Sequence, residues 1–495
     1  MKSITRYMLG FIVAFMVVLP ARGALPAAGD FVKVDDYVQT FMARNRIPGL
    51  SLTVTQGNKI IYSKGYGIAG TNRPMTPDTP MLIGSQSKSF TALAVMQLME
   101  AGQLELDAPL QRYIPWFKVA DPQASARITV RSLLNHTSGL SEEGYVSNLS
   151  DRTTLEQAVR DLERARPTAA VGEKHQYFNL GYTALGYLVE VISGQTYGEY
   201  LRENVFKPLG MTRSSASIEE YTRLDMAQGY TQLFAFPFPM QQPLPLYYLP
   251  AGFIVSTTND LARYLLTMEQ GGVLDGTRIL SDASVKMMFT ANTAIGSASG
   301  FGWDISRYYG DTQITHGGAT ERFYTSVVIL PDSELSIAMI INQDHMFKAN
   351  YDYLQLFWGV VNILTGHPVS KQGISSVTIG WVLLVVFLIV VFFSARGLLA
   401  LSKQQKRLSN LPARRRWLSI LPHTVSIGAT SFMVIVAGPS LAGRGFDFRW
   451  FTGFYPDIAL LVGVVLAAEA IQLIVKLGII LTIHHFEDVK PLPWR

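Results

Sequence analysis

Three apolar runs close to the C-terminus place the strongest constraint on how this chain can fold. Residues 372–395 carry no charged side chain, and neither do residues 417–443. A third run, Ile458–Ile483, is interrupted only by Glu469 and Lys476. A helix of about 20 apolar residues crosses the hydrocarbon core of a bilayer, whereas an ordinary core helix is shorter and less uniformly apolar. We therefore predict a three-helix transmembrane module over residues 371–495, with spans near 374–394, 418–438 and 458–483.

The loop between the first two predicted spans is strongly basic. It contains no acidic residue, and its basic residues are Arg396, Lys403, Lys406, Arg407, Arg414, Arg415 and Arg416. Short loops rich in Lys and Arg stay in the cytoplasm. The region before the first span is therefore expected on the other side, which makes the protein a multi-pass cell-membrane protein with an extracytoplasmic domain.

The N-terminus has the pattern of a secretory signal peptide, which we predict over residues 1–23. Lys2 and Arg6 precede the uncharged run Tyr7–Ala21, and the small residues Ala21 and Gly23 frame a candidate cleavage site. A retained N-terminal anchor is the alternative interpretation. Residues 24–370 are then expected to form one large soluble domain.

The formal net charge of +5 belongs to the membrane-associated parts of the chain. Residues 24–370 contain 26 Lys and Arg against 32 Asp and Glu, whereas residues 371–495 contain 13 basic against 5 acidic residues. The soluble domain therefore gives no support for a nucleic-acid partner, and membrane lipid is the partner expected for the basic parts. The chain has no cysteine and no Cys, His and Asp cluster with metal-ligand spacing, so disulfides, a metal site and other cofactors are not predicted.

Ser85-Gln86-Ser87-Lys88 places a hydroxyl and an amine one helical turn apart. Residues i and i+3 share a helix face with Cβ atoms about 5–6 Å apart, so the amine of Lys88 can reach the Ser85 hydroxyl and help take its proton. The mainly apolar run Phe90–Glu100, which stops at Gly102, predicts a helix that begins at this serine. Because such pairs are common on solvated helix faces, the motif alone does not define a catalytic site.

Two further motifs each occur once in the chain. Tyr177-Phe178-Asn179 is its only Y-x-N, and His316-Gly317-Gly318 is its only H-x-G. In serine hydrolases built on Ser-x-x-Lys, a second element across the pocket supplies a polar residue or a tyrosine. A third element, an edge strand with glycine, supplies the second oxyanion donor. The order and spacing of the three motifs fit this arrangement.

On these motifs the sequence resembles the penicillin-recognising serine hydrolases, in particular the branch that holds class C β-lactamases, D-alanyl-D-alanine carboxypeptidases, D-amino peptidases and related esterases. The resemblance covers about residues 30–350. It includes further blocks in family order, which are Leu133–Leu140, Asn179–Tyr182 with Gly186, Phe206–Met211 and Pro250–Gly252.

The resemblance implies an α+β fold of the β-lactamase/transpeptidase type. Such a fold has an antiparallel sheet with helices on both faces and a helical insertion, here expected at roughly residues 85–210, with the pocket at their junction. The expected strands are Ser51–Gln56, Lys59–Gly65, a strand around Thr315, Thr325–Leu330 and Ser336–Asn342.

The resemblance also implies roles for the residues of the first two motifs. Ser85 would be the acylated nucleophile, Lys88 its base partner and Tyr177 a general base or acid. Which of Lys88 and Tyr177 holds the mobile proton stays open, because the two would titrate as a coupled pair. Asn179 would hydrogen-bond the amide of the substrate.

The backbone N–H groups of Ser85 and of Ala319, which follows the third motif, would form the oxyanion hole. His316, Gly317 and Gly318 would line the adjoining wall. Many β-lactamases have lysine where this chain has His316, and a histidine is mostly neutral at pH 7, so binding of a substrate carboxylate is less assured.

Several nearby residues allow two interpretations. Arg322 could replace the missing cation or be a solvated loop arginine. His136 is expected to be a hydrogen-bonded structural residue, and His175 a strand-edge residue. The aromatic segment Phe234–Tyr248, interrupted by four prolines, is expected to be irregular, either a flap over the pocket or a packed surface loop.

The expected function is that of a membrane-anchored extracytoplasmic serine hydrolase that works through an acyl-enzyme. The trailing spans resemble those of membrane-bound D-amino peptidases, which favours a peptidase or amidase acting on D-amino-acid-containing or N-acylated peptides. A carboxylesterase or weak β-lactamase is the alternative, and a non-turnover β-lactam sensor is a third hypothesis. The sequence does not indicate an oligomeric state.

Two further expectations concern the membrane module. Because all three motifs precede residue 320, the spans are predicted to be dispensable for the chemistry. Glu469 and Lys476 lie seven residues apart on one helix face, and we expect a structural role for them, with Glu469 hydrogen-bonded within the bundle and Lys476 reaching toward the interface.

Overall fold

The computed structural model describes residues 26–147, 149–437 and 447–488. The predicted signal peptide lies outside the described residues. The strands are β1 (Gly49–Gln56), β2 (Lys59–Gly70), β3 (Arg73–Pro74), β4 (Met81–Leu82), β5 (Tyr230–Leu233), β6 (Phe236–Pro239), β7 (Val255–Ser256), β8 (Val273–Leu274), β9 (Thr277–Arg278), β10 (Asp304–Tyr308), β11 (Asp311–Ala319), β12 (Tyr324–Leu330), β13 (Leu335–Ile341) and β14 (Gln343–Asp344).

The α-helices are described in the same order along the chain. They are α1 (Ala28–Asn45), α2 (Ser87–Glu100), α3 (Pro122–Arg127), α4 (Val130–Leu134), α5 (Leu155–Asp161), α6 (Asn179–Ser193), α7 (Tyr197–Leu201), α8 (Ile218–Tyr221), α9 (Leu249–Gly252), α10 (Thr258–Glu269), α11 (Asp282–Met288), α12 (Leu354–Thr365), α13 (Ser376–Leu399), α14 (Leu401–Ser409), α15 (Ala413–Leu418), α16 (Leu421–Phe432), α17 (Phe448–Phe454) and α18 (Pro456–Asp488).

The main sheet has seven strands in the spatial order β10-β11-β12-β13-β1-β2-β3 and is antiparallel throughout. The five strands expected from the sequence are confirmed, although β2 continues to Gly70 and β13 begins at Leu335. The N-terminal strands thus pair with strands from the end of the domain, as β1 does with β13. This closure places β11, which carries the third motif, two strands away from β13.

Helices cover both faces of this sheet. Ile337 and Met339 of β13 belong to a core that α1 and α12 complete, whereas Ala338 and Ile340 face a second core shared with the helical part of the domain. Successive side chains of a strand point to opposite faces, so a strand buried on both faces consists of apolar residues at every position. This explains why β13, which is buried throughout, is apolar at every position except Ser336.

Helix α2 is the central element of the helical lobe, by which we mean residues 85–210. It packs against α6 and α9, and its residues from Ser87 to Met96 are all buried. A helix that is apolar on all sides is stable only inside a core. The position of α2 fixes Lys88, which lies in its first turn, inside the protein.

The aromatic segment after α8 contains a β-hairpin, so the expectation that this segment is irregular was wrong. β6 pairs with β5, and Pro237 lies opposite Gln232. β6 is the outer strand of its three-stranded sheet, β14-β5-β6, and an edge strand accepts proline because one side of its backbone has no partner strand. The hairpin is not a flap over the pocket, since Phe234 and Phe236 pack on Phe387 and Trp381 of α13.

Three helical segments are long and apolar enough to cross a membrane: Ser376–Leu399, Ala413–Val436 and Pro456–His485. They agree closely with the spans expected from the sequence. α18 packs against both α13 and α16, so the segments form one bundle.

The two ionisable residues of the third span are hydrogen-bonded within this bundle, as expected for Glu469. His423 of α16 bonds Glu469 through Nδ1, and its Nε2 lies 2.8 Å from Lys476 Nζ. Lys476 also donates to the Ser419 carbonyl at 3.3 Å. Lys476 therefore turns to a neighbouring helix instead of extending only toward the membrane surface. Pairing ionisable groups inside a bundle lowers the cost of placing them in the membrane.

Candidate active site

Ser85 lies on a single 3₁₀ turn, Gly84–Gln86, that leads into α2. The α-helix thus begins at Ser87, two residues later than the sequence suggested. A 3₁₀ turn has three residues per turn, so it brings positions i and i+3 almost into register and directs Lys88 at Ser85. Gly84 has a φ of +54°, which favours glycine, and this backbone conformation turns the chain sharply out of β4.

The amine of Lys88 is completely buried and faces three oxygen atoms. Its Nζ lies 3.1 Å from Ser85 Oγ and 2.8 Å from Asn179 Oδ1, and it also donates to the Ala251 carbonyl. Burial lowers the pKa of Lys88 to about 7, and the negative charge of Glu142 acts in the opposite direction. Near neutral pH a large fraction of this amine is therefore unprotonated and able to accept a proton.

The hydroxyl of Tyr177 approaches the same serine oxygen from the other side. Tyr177 Oη donates to Ser85 Oγ at 2.8 Å. Although 40% of the residue is exposed, its hydroxyl end lies within the site, and burial raises the pKa of Tyr177. The phenol therefore stays protonated at neutral pH and acts as a hydrogen-bond donor.

His136 supports Tyr177, as expected for a structural histidine. Its ring lies 4.5 Å from the Tyr177 ring, and its Nδ1 accepts a hydrogen bond of 3.3 Å from the backbone N–H of Phe178. Burial lowers the pKa of His136, which keeps the ring neutral. His175 lies in the loop before Tyr177 and not on a strand, and its ring contacts the His136 ring at 5.5 Å.

Glu142 is a site residue that the sequence analysis missed. Its Oε1 accepts from the Asn179 side-chain Nδ2 at 3.0 Å and from the Asn179 backbone N–H at 3.2 Å. These bonds turn the Asn179 Oδ1 toward Lys88 and leave at most one amide N–H for a substrate. Asn179 thus orients the Lys88 amine. This role was not expected from the sequence, which indicated only a hydrogen bond to the substrate. Glu142 lies just outside the Leu133–Leu140 block, and nothing in a single sequence distinguishes it from Glu143.

The third motif lies directly against the Ser85 turn. A Cβ atom at Gly318 would lie 2.0 Å from the Ile83 carbonyl oxygen and 3.0 Å from the Ser85 nitrogen, and one at Gly84 would lie 2.4 Å from the Ala319 nitrogen. Only glycine allows the two backbones to come this close. The Ser85 and Ala319 nitrogens are therefore neighbours, as an oxyanion hole requires. By contrast, a Cβ at Gly317 would meet nothing closer than 3.8 Å.

His316 is buried on β11 and contributes no positive charge at neutral pH. Burial lowers its pKa to about 4, even though the carboxylate of Asp304 acts to raise it. Its Nδ1 lies 2.6 Å from the Gly317 carbonyl oxygen, which can only accept, so the proton of the neutral ring is on Nδ1. His316 therefore offers a neutral ring where a lysine would offer a cation.

Arg322 is neither a substitute cation in the pocket nor a solvated loop residue. Only 3% of it is exposed, and its guanidinium bonds the Glu321 carbonyl, the Met240 sulfur and, at 3.1 Å, the Gly453 carbonyl of α17. Both expectations for this residue were wrong, because the packing of α17 on the turn between β11 and β12 cannot be recognised from local sequence patterns.

The described residues thus bring a hydroxyl, a largely neutral amine and a phenol together on one oxygen atom, beside two backbone nitrogens. This arrangement suits nucleophilic attack by Ser85 on a carbonyl carbon. Among the residues that the structure describes, no group of three or more His, Cys, Asp or Glu side chains could hold a metal ion.

Comparison with solved structures supports the fold. A penicillin-binding protein homologue from Pyrococcus abyssi, described as octameric, superimposes with a TM-score of 0.61 at 28% identity, over 69% of this chain and 79% of that chain. EstCE1, described as a hydrolase with promiscuous acyltransferase activity, superimposes with a TM-score of 0.58 at 22% identity and covers 69% of this chain and 100% of its own. At that identity the second likeness concerns the fold alone.

Curated relatives match 60–68% of this chain. Penicillin-binding protein 4 of Amycolatopsis lactamdurans is 29% identical over 60% of this chain and 81% of its own length. The Unguisins hydrolase ungD' of Aspergillus campestris is 26% identical over 68% of this chain. The match spans 65% of that hydrolase, slightly less than two thirds.

The family match covers most of the domain that carries the site. Residues 34–357 match the family described as Beta-lactamase, and this range includes all three motifs and the whole seven-stranded sheet. Together with the penicillin-binding-protein relatives, the match shows that this chain belongs to the β-lactamase family of penicillin-recognising serine hydrolases.

Proposed function

We propose that this protein is a membrane-anchored extracytoplasmic hydrolase that forms an acyl-enzyme on Ser85. The observation that carries the proposal is the double contact of Ser85 Oγ, with Lys88 Nζ at 3.1 Å and Tyr177 Oη at 2.8 Å. One partner can remove the hydroxyl proton, and the other can return a proton to the leaving group.

Lys88 is the base in this proposal. A neutral amine has two N–H groups and one lone pair, and the acceptors Asn179 Oδ1 and the Ala251 carbonyl take the two N–H groups. The lone pair then faces Ser85 Oγ and accepts its proton as that oxygen attacks the substrate carbonyl. Tyr177 donates its proton to the leaving group and recovers one from Lys88, and water hydrolyses the acyl-enzyme by the reverse sequence.

The developing negative charge would be bound by the N–H groups of Ser85 and Ala319. Preorganised donors of this kind stabilise the transition state without any rearrangement during the reaction. The close approach of the Gly84 and Gly318 backbones supports this assignment, because it fixes the two nitrogens relative to one another.

The proposed substrates carry no carboxylate beside the scissile bond. His316 is neutral and the Arg322 guanidinium is bound to α17, so neither of the two cations considered for carboxylate binding is available. This favours an amide in a peptide, with D-amino-acid-containing or N-acylated peptides as the class, over a β-lactam. A neutral carboxylic ester satisfies the same condition, which makes an esterase the second candidate.

The proposed location rests on the three apolar helices and on the basic loop that joins the first two. That loop would be cytoplasmic, and the hydrolase domain would lie on the opposite side. The β5–β6 hairpin fits this orientation. The exposed ring of Phe236 packs on Trp381 in the second turn of the first span, and aromatic residues favour the membrane interface.

Replacing Gly318 by alanine tests the proposed oxyanion hole. The added methyl group would collide with the Ile83 carbonyl and push β11 away from Ser85, so we expect kcat to fall by about 10²–10³-fold, the usual cost of one lost oxyanion donor. Gly317→Ala is the matched comparison: its added methyl group would meet no protein atom closer than 3.8 Å, so it should lower kcat much less than Gly318→Ala. Steady-state kinetics on a soluble ester measures both. Equal effects of the two substitutions would argue against the role of the Gly318 contact.

Substrate preference can be measured with matched peptides that end in a free carboxylate or in an amide, in D and L forms, beside a neutral ester and a chromogenic cephalosporin. We expect neutral D-peptide amides or esters to be hydrolysed with a higher kcat/KM than the peptides that end in a free carboxylate and than the cephalosporin. His316→Lys should lower KM for the carboxylate-bearing substrates by about 10–100-fold, because a charge-assisted hydrogen bond contributes about 1.5–3 kcal/mol. A wild-type enzyme that prefers the cephalosporin contradicts the proposed substrate class.

The proposed topology predicts the outcome of protease treatment of intact spheroplasts. The hydrolase domain should be digested, whereas the basic loop from Arg396 to Arg416 should be protected. Immunoblots with tags placed in each region provide the measurement, and lysed spheroplasts, in which both tags are lost, are the control. Cleavage of the loop with protection of the domain reverses the orientation.

A further inference from the structure

Helix α17 contacts both the turn that follows β11 and the loop that carries Asp151. We call this helix, Phe448–Phe454, the strap. It lies between the second and third membrane-spanning segments. Its contacts therefore connect the membrane module directly to the hydrolase domain.

On the sheet side, the strap holds the turn that follows the third motif. Arg322 Nη1 donates to the Gly453 carbonyl at 3.1 Å, and Gly453 is buried against the Glu321 side chain. A Cβ at Gly453 would lie 2.6 Å from Glu321 Cγ, so the strap and the turn are in close contact.

This turn is rigidly connected to the oxyanion strand. Thr320 Oγ1 accepts from the backbone N–H groups of Arg322 at 3.3 Å and Phe323 at 3.1 Å, and the Thr320 N–H donates to the Phe323 carbonyl at 2.9 Å. Ala319 is the residue before Thr320. A displacement of the turn would therefore move the Ala319 nitrogen relative to Ser85.

On the helical side, the strap contacts the loop that follows Glu142. Arg449 Nη1 and Asp151 Oδ1 are 2.6 Å apart. Both side chains are substantially exposed, so the pair contributes little to stability.

The end of the strap is anchored at the start of α18. His345 Nε2 lies 3.2 Å from Asp457 Oδ1, and both side chains are completely buried. His345 follows β14, and β14 follows β13 of the main sheet. The third span thus begins at a fixed point on the hydrolase domain, and the strap has little freedom to leave the turn.

We propose that the strap is required for full catalytic activity, and that Arg322 is a positioning residue. Its contact with the strap holds the turn after β11 in place and thereby positions the Ala319 N–H. This inference rests on the proposed role of Ser85 and Ala319. It opposes the expectation that the membrane module is dispensable for chemistry, because removing the module would take away both the Gly453 acceptor of Arg322 and the helix that packs on the turn.

The test uses the full chain in detergent or nanodiscs and reaches the contact from both sides. Arg322→Met removes the guanidinium, and Gly453→Val pushes the strap off Glu321. Each should lower the rate at which a fluorophosphonate labels Ser85 by phosphonylation, and kcat on a soluble ester, by about 10- to 100-fold, since a misplacement of about 1 Å can cost 10²-fold. KM should change little. The double variant should lose no more activity than the single variant with the larger effect.

Gly463→Val is the matched control, because a Cβ at Gly463 in α18 meets no atom within 4 Å. This variant should be labelled at Ser85 at the wild-type rate. A cooperative melt of each variant separates folding from positioning, because a purely structural role lowers Tm while the folded fraction keeps its wild-type rate. If Arg322→Met and Gly453→Val fold and are labelled at Ser85 at the wild-type rate, the inference is overturned. If the wild-type chain is not labelled at Ser85, the proposed function is overturned instead.

Discussion

Burial of the Lys88 amine is the constraint on which the active site depends. The side chain enters from the first turn of a helix that is surrounded by core on nearly every side, so water cannot solvate its charge. The protein compensates with three oxygen atoms, Ser85 Oγ, Asn179 Oδ1 and the Ala251 carbonyl, and with the more distant charge of Glu142. The result is an amine with a pKa near neutrality, placed against a hydroxyl that it can deprotonate.

Much of this arrangement was predictable from the residues. The Ser85–Lys88 spacing needs only the geometry of one helical turn, and the five strands follow from apolar segments matched to a family pattern. The start of α2 was not predictable, because a 3₁₀ turn depends on the Gly84 backbone meeting β11. Glu142 was also missed, since its role arises from contacts with Asn179 that are 37 positions away in the sequence.

For other residues, contacts with distant parts of the chain determine the role. Arg322 looked like a candidate for substrate binding because it follows the third motif, but its partners are a methionine from the hairpin segment and a carbonyl from beyond the second span. The proline-rich segment forms an edge strand because only one side of β6 needs backbone hydrogen bonds. In both cases the decisive partner lies in the membrane module or in a separate small sheet, which local patterns do not indicate. The hydrolase domain and the spans are thus joined through specific polar contacts near the site.

The most direct test is the pH dependence of Ser85 phosphonylation by a small neutral fluorophosphonate, followed by peptide mapping of the labelled protein. The account predicts label on Ser85 alone, none on Ser85→Ala, and a rate that falls about tenfold per pH unit below about 7, where Lys88 becomes protonated. Label on another residue, or a Ser85 rate that is constant between about pH 5 and 8, would contradict a buried neutral lysine as the base.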